Sequence, residues 1–293
     1  MTDQTKTVKS KRLTCPICGS GFMNIFPAGE CGNCTTLVCG HCISHDDPEF
    51  PGSICQACLV KMTPYGRLNE MPVDELLAIL EDPSSTDSPL VARLFGDRKD
   101  IAYLPDLCRA LASERLEVRR EAAAALGKLD TDQAVPHILA ALNDPAPAVR
   151  ARAAESLADL GAAQAIAPLQ QQIHDPSRQA AGHAVLALGR LMGDDACDLF
   201  QDLVRNHPSS YVRCEALGVL AGLDRETAIS AAIDCLDHTD KIVVISACKV
   251  LARLNDLKAI SKLKQLIERQ PPASVRIMAE STLKVLFDSQ ESS

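Results

Sequence analysis

A pattern with a period of 31 to 32 residues runs through the last two thirds of this 293-residue chain. Val118-Arg119, Val149-Arg150, Val212-Arg213 and Val275-Arg276 recur in register, with Ala180-Ala181 and Val243-Val244 at the intervening positions. A leucine follows at a fixed offset (Leu126, Leu157, Leu188, Leu220, Leu251, Leu283), and another three residues later (Leu129, Leu160, Leu191, Leu223, Leu254, Leu286). Leucines three apart share one helix face, so each unit predicts a helix with an apolar stripe. Ala134, Ala165, Ala196, Ala228 and Ala259 mark the start of a second helix in each unit. Breakers separate the units: Asn143-Asp144-Pro145, His174-Asp175-Pro176, Asn206-His207-Pro208 and Gln270-Pro271-Pro272. Only 3% of residues are aromatic and none is Trp, so the core is built from Ala, Leu, Val and Ile. One hairpin of this size buries too little to stand alone, and neighbours must stack.

These residues resemble a HEAT-repeat array, of the short type also found in phycobilisome lyases. The resemblance implies a mainly α fold, an α-solenoid of helical hairpins over residues 88–289. A weaker first copy fits Ser88–Ala112, where Leu104-Pro105 aligns with Val135-Pro136 and Phe95-Gly96 with Leu126-Gly127. A lone helix, Ala273–Phe287, is expected to cap the end. The Asp/Arg pattern, Asp144 with Arg150 for example, resembles the ladder such repeats carry between turns.

The N-terminal part is governed by cysteine. Eight of the 13 cysteines precede residue 60 and form four Cys-x-x-Cys pairs: Cys15/Cys18, Cys31/Cys34, Cys39/Cys42 and Cys55/Cys58. The opening MTDQTKTVKSKR has no apolar stretch of a secretory signal, and no run approaches the roughly 18 apolar residues that span a bilayer. A cytoplasmic chain is expected, in which paired thiols read as metal ligands rather than disulfides. Four thiolates satisfy tetrahedral zinc, so eight make two closed, structural Zn2+ sites with no open position for chemistry. Interleaved pairing puts Cys15, Cys18, Cys39 and Cys42 on one ion and Cys31, Cys34, Cys55 and Cys58 on the other; sequential and nested pairings are the alternatives. A segment of about 45 residues folds poorly on apolar burial alone, so its folding should depend on the metal.

The run Cys31-Gly-Asn-Cys34-Thr-Thr-Leu-Val-Cys39-Gly-His-Cys42, flanked by the outer pairs, resembles a FYVE-type zinc finger. That family is a cross-braced, two-zinc module, which implies the interleaved set. Its lipid-binding members carry an Arg/His cluster where this chain reads Pro27-Ala28-Gly29-Glu30-Cys31-Gly32, so specific phosphoinositide binding is not expected. Phe22, Met23, Ile25 and Phe26 form an apolar loop for a membrane or partner contact, or pack the small core. His41 and His45 are read as surface residues beside the ligands.

The segments divide as a basic tail (1–13, with Lys6, Lys9, Lys11 and Arg12), the zinc-stabilised domain (14–62), an acidic linker with a short helix at Val73–Leu80 (63–87), and the repeats (88–289). No His-Glu-x-x-His pair, phosphate-cradling glycine loop or nucleophile elbow occurs, so no enzyme is expected. The net charge of −8 argues against nucleic acid as a partner. Along the second helices one exposed stripe reads Gln133/Ala140, Gln164/Gln171, Asp195/Asp202, Thr227/Asp234 and Lys258/Gln265, extended by Lys262 and Arg269. Residues 190–240 hold ten acids and four bases, and residues 241–276 eight bases and two acids. Asp195, Asp202 and Asp234 with Lys258, Lys262 and Arg269 are therefore the candidate contacts of a polarised groove for a protein partner. The leading reading is a non-enzymatic adaptor. A RING-like recruiter of a ubiquitin-conjugating enzyme and a bilin-handling lyase-like protein are the alternatives. The remaining cysteines (Cys108, Cys197, Cys214, Cys235, Cys248) are expected to be buried and inert.

Overall fold

The computed structural model describes residues 64–291 and four two-residue strands before them. Those strands are β1 (Gly29–Glu30), β2 (Leu37–Val38), β3 (Ile43–Ser44) and β4 (Ile54–Cys55). They pair antiparallel, with Gly29 opposite Val38 and Ile43 opposite Cys55. Internal contacts divide the chain into two compact units, residues 1–94 and 95–293.

In the first unit, α1 (Pro64–Asn69) and α2 (Val73–Glu81) precede α3 (Ser88–Arg98), which runs across the boundary. Leu68, Leu76, Leu80, Val91 and Ala92 form its buried face. The expected short helix is found as α2. Within the linker, the Glu81–Thr86 stretch forms a turn held by side-chain hydrogen bonds. Asp82 Oδ1 accepts from the Ser84 amide (2.8 Å) and hydroxyl (2.7 Å). The buried Ser88 hydroxyl donates to the Ile79 carbonyl (2.8 Å), with those of Asp82 and Ser85 within 3.2 Å. Helix α1 was not expected; it opens at Pro64, a first-turn position where the missing N–H costs nothing, and Gly66 and Leu68 are both buried.

The second unit is a ladder of helical hairpins. Its first helices are α5 (Leu116–Lys128), α7 (Pro147–Asp159), α9 (Arg178–Met192), α11 (Ser210–Leu223), α13 (Lys241–Leu254) and α15 (Ala273–Glu291). Its second helices are α4 (Leu104–Ala110), α6 (Val135–Ala141), α8 (Ile166–Gln172), α10 (Cys197–Asn206), α12 (Arg225–Cys235) and α14 (Ile260–Glu268). First helices from α5 to α15 stack in chain order, and each second helix packs on the first helix of the next hairpin. Most second helices open with a short 3-10 turn whose last residue is a fully buried alanine: Ala134, Ala165, Ala196 and Ala259. The fifth expected marker, Ala228, is also fully buried, inside α12.

Leu126, Leu157, Leu188, Leu220 and Leu251 are completely buried, as the period implies. The second leucine departs from that expectation. Leu129 and Leu286 are buried, but Leu160, Leu191, Leu223 and Leu254 are half-buried. Behind each core leucine comes a small residue: Gly127, Ala158, Gly189, Ala221 and Ala252. The reason is close helix approach. A Cβ on Gly127 would sit 2.6 Å from the Ser156 Cβ, and one on Gly96 2.6 Å from the Ala125 Cα. At the corresponding position of α15 stands exposed Lys284.

The charged ladder is offset by one repeat from the expected pairing. The Asp144 carboxylate pairs with Arg119 of the preceding repeat (2.7 Å), and Asp175 with Arg150 (2.7 Å). Arg150 touches Asp144 only through its backbone carbonyl (2.8 Å). One guanidinium thus binds the side chain ahead and the turn carbonyls behind, tying two hairpins together. Burial alone would raise the Asp175 carboxyl, but hydrogen bonds from Arg150 and the Ser177 amide hold it below the ordinary value of 3.8.

Candidate interaction surface

The exposed stripe lies on the second helices, where the period put it. Gln133, Ala140, Gln164, Gln171, Asp195, Asp202, Asp234, Lys258, Gln265 and Arg269 are exposed, and Thr227 and Lys262 half-buried. Its electrostatics differ from the count along the chain. Lys258 Nζ lies 2.7 Å from Glu226, while Lys262 Nζ (2.5 Å) and Arg269 Nη1 (2.7 Å) share Asp237. Hydrogen bonds from Lys262 and Arg269 hold the Asp237 carboxyl below its ordinary value. Lys258, Lys262 and Arg269 are therefore engaged by Glu226 and Asp237, which lie in or just after α12. Asp195 and Asp234 make no ion pair among the described residues, and Asp202 accepts only from the Asn206 amide (2.7 Å). What remains open to a partner is acidic. The period itself carries the missing signal, since Lys258 follows Glu226, and Arg269 follows Asp237, by 32 residues.

On the opposite side, a groove of about 430 Å³ is lined by Leu186, Ala187, Gly189, Val219 and Leu223, with Glu155, His183 and Arg190 at its edges. Gly222 of α11 also lines it and has only open space where a side chain would stand. A smaller cavity of about 330 Å³ includes Cys108, Pro136, His137 and Asp144.

Cys235 and Cys248 are buried; Cys108, Cys197 and Cys214 are half-buried, so the expectation of burial holds in full for two of the five. Burial pushes all five thiols up, those of Cys235 and Cys248 to about 11, so none is a thiolate at neutral pH. Among the described residues no group of three or more His, Cys, Asp or Glu side chains is placed to hold a metal ion. The expected zinc ligands Cys15, Cys18, Cys31, Cys34, Cys39, Cys42 and Cys58 lie outside the described residues, as do Phe22, Met23, Ile25, Phe26, His41 and His45. Cys55 is described only as part of strand β4. Among the described residues no helix is long and apolar enough to cross a membrane.

Stacked two-helix units with a 31–32-residue period define an α-helical repeat protein. The family model for HEAT repeats matches residues 73–146, 135–213 and 199–284, and the chain belongs to that family. YibA of Escherichia coli is similar in structure, at 18% identity and a TM-score of 0.52, over 76% of this chain and 96% of its own. So are the complex of CpcE and CpcF of phycocyanin lyase from Nostoc (24%, TM-score 0.46, over 74% of this chain and 95% of that one) and the archaeal HEAT-like repeats protein from Thermococcus onnurineus (14%, TM-score 0.46, over 74% and 98%). At these identities the likeness is one of fold. No curated protein matches the chain.

Proposed function

We propose that this protein is a non-enzymatic adaptor. In this reading the HEAT repeats hold one protein partner on the second-helix stripe, and a zinc-stabilised N-terminal domain makes a second contact with protein or membrane surface. The observation that carries it is the set of exposed acids Asp195, Asp202 and Asp234, which make no ion pair among the described residues, beside cations (Lys258, Lys262 and Arg269) that are engaged by Glu226 and Asp237. Exposed carboxylates with no cationic partner in the fold attract a basic surface.

For the N-terminal segment the donor set supports zinc. Four Cys-x-x-Cys pairs supply four thiolates to each of two ions, and thiolate is a ligand that zinc favours. The FYVE-like pattern supports interleaved pairing, with Cys15, Cys18, Cys39 and Cys42 at one site and Cys31, Cys34, Cys55 and Cys58 at the other. Closed sites of this kind supply folding rather than chemistry. Glu30 beside Cys31 disfavours an anionic headgroup there, and the Phe22–Phe26 loop is the element available for an apolar contact.

Affinity capture with the full chain tests the stripe. Asp195→Lys, Asp202→Lys and Asp234→Lys together should abolish capture of the repeat-bound partner and shift Tm by no more than a few degrees, since all three side chains are exposed. Full retention of that partner would remove the stripe from the account. Lys258→Glu with Lys262→Glu should have a smaller effect on capture, because those cations already have internal partners.

A further inference from the structure

Four successive turns cap the same backbone amide from the same position, using two different chemistries. Asp144 Oδ1 accepts from the Ala146 N–H (2.8 Å), and Asp175 Oδ1 from the Ser177 N–H (2.7 Å). In the next two turns a histidine does this: His207 Nδ1 accepts from the Ser209 N–H (3.1 Å), and His238 Nδ1 from the Asp240 N–H (2.9 Å). The ladder changes where the caps change. Arg119 and Arg150 reach the two aspartates, but the next position in register is Ala181. His207 is met instead by His174, whose Nδ1 lies 3.2 Å from His207 Nε2, the rings stacked with centroids 5.1 Å apart. Arg213 Nε then donates to the His207 carbonyl (2.5 Å), and its Nη1 lies 3.0 Å from His238 Nε2.

A carboxylate accepts these hydrogen bonds until it is protonated, near pH 4. An imidazole accepts only while the nitrogen concerned carries no proton. With Nδ1 accepting, neutral His207 has its proton on Nε2, directed at His174 Nδ1. A second proton on His207 sets Nδ1–H against the Ser209 N–H; a proton on His174 Nδ1 sets N–H against N–H across 3.2 Å. His238 has N–H donors at both nitrogens, which compete for the single acceptor of the neutral ring, and its imidazolium accepts neither. The charged groups facing these rings are mostly cations. His207 faces His174 and Arg213; His238 faces Arg213 and Asp240. Asp240 is itself occupied by the Ser210 hydroxyl (2.5 Å) and the Ile242 amide (2.8 Å), and Asp175 beside His174 by Arg150. His207 is only 6% exposed, so water cannot take up its charge.

We propose that the turns at His207 and His238 form an acid-labile joint in a ladder that is acid-resistant elsewhere, so that mild acid frees the starts of α11 and α13 while the Asp144 and Asp175 turns hold. Burial first, and then His174, keeps the His207 imidazole below the ordinary histidine value of 6.5. A lowered histidine contributes stability that is complete above that value and is lost as the pH falls through it towards the folded-state value.

Hydrogen exchange of the full chain at pH 7.5 and 5.5, corrected for the chemical effect of pH, tests this within one molecule. Amides of 207–223 and 238–254 should lose protection several-fold relative to 144–160 and 175–191. His207→Asn with His238→Asn keeps a side-chain acceptor that does not titrate and should abolish the difference. Equal responses at all four turns, or acid opening that persists in the double variant, would overturn the proposal. Should the variant not fold, an NMR titration of the unmodified chain decides: His207 must titrate below the ordinary histidine value, and titration at or above it overturns the proposal.

Discussion

On the proposed two-zinc reading, treating the reduced protein with a strong chelator is expected to unfold residues 14–62 and to leave the helices of residues 64–291 in place. The two parts are held by different forces. The N-terminal segment has about 45 residues between its outer cysteines, a length that gains little from apolar burial alone, and each proposed thiolate site would contribute on the order of 10 kcal/mol or more. The repeats bury an apolar core, mostly leucine, alanine and valine, from Leu126 to Leu286, and among the described residues no group of side chains is placed to hold a metal. Far-UV circular dichroism at 222 nm should change little, while proteolysis should become rapid within 14–62. Cys31→Ser with Cys34→Ser should reproduce half of the metal loss. Helical signal lost in parallel with the metal would show that the repeats depend on it. A protein purified with visible charge-transfer bands would point to an iron–sulfur cluster and contradict zinc.

Asp175→Ala is expected to cost about 2–3 kcal/mol of stability, the largest effect of any single ladder residue. The carboxylate accepts both arms of Arg150, from Nε at 2.7 Å and from Nη2 at 2.8 Å, and caps the Ser177 amide at 2.7 Å. Both partners are largely buried, with side-chain exposures of 12% for Arg150 and 4% for Asp175. Truncation therefore leaves a guanidinium and an amide without their acceptor at once. Asp175→Asn retains one oxygen for the amide and should recover roughly half of the loss. Urea unfolding at pH 7 measures both. Because the Asp175 carboxyl lies below its ordinary value of 3.8, its contribution is present above that pH and is lost as the pH falls further. The difference between the native protein and Asp175→Ala should accordingly persist at pH 5 and shrink below pH 4.

The parts of this fold that repeat were legible, because a period multiplies a weak local signal. Leu157 and Ala165 alone say little; their recurrence at Leu188 and Ala196 and onwards places a helix face and a helix start in every unit. The small column was partly legible in Phe95-Gly96 and Leu126-Gly127, although the reason for it, a clash of 2.6 Å, is a property of packing. What the chain hides is which neighbour a polar residue chooses. Arg150 is nearer in sequence to Asp144 than to Asp175, but its turn directs it forward to Asp175. The same effect pairs Lys258 with Glu226 and turns an apparent acid–base gradient into an acidic stripe beside a neutralised end. His207 and His238 were hidden because histidine is not read as a turn cap, and only the distances to Ser209 and Asp240 show that it replaces aspartate there. Helix α1 was not foreseen: at six residues it is too short for a period to show, although Pro64 suits its first position.

The central claim is that this HEAT-repeat protein works by holding a protein partner on its second-helix stripe. Zero-length carbodiimide coupling of the captured complex tests it most directly, since it joins a carboxylate only to an amine already in contact with it. The account predicts cross-links from Asp195, Asp202 and Asp234 to lysines of the partner. Cross-links that avoid residues 193–237 and fall instead on Glu155 at the edge of the opposite groove would contradict it.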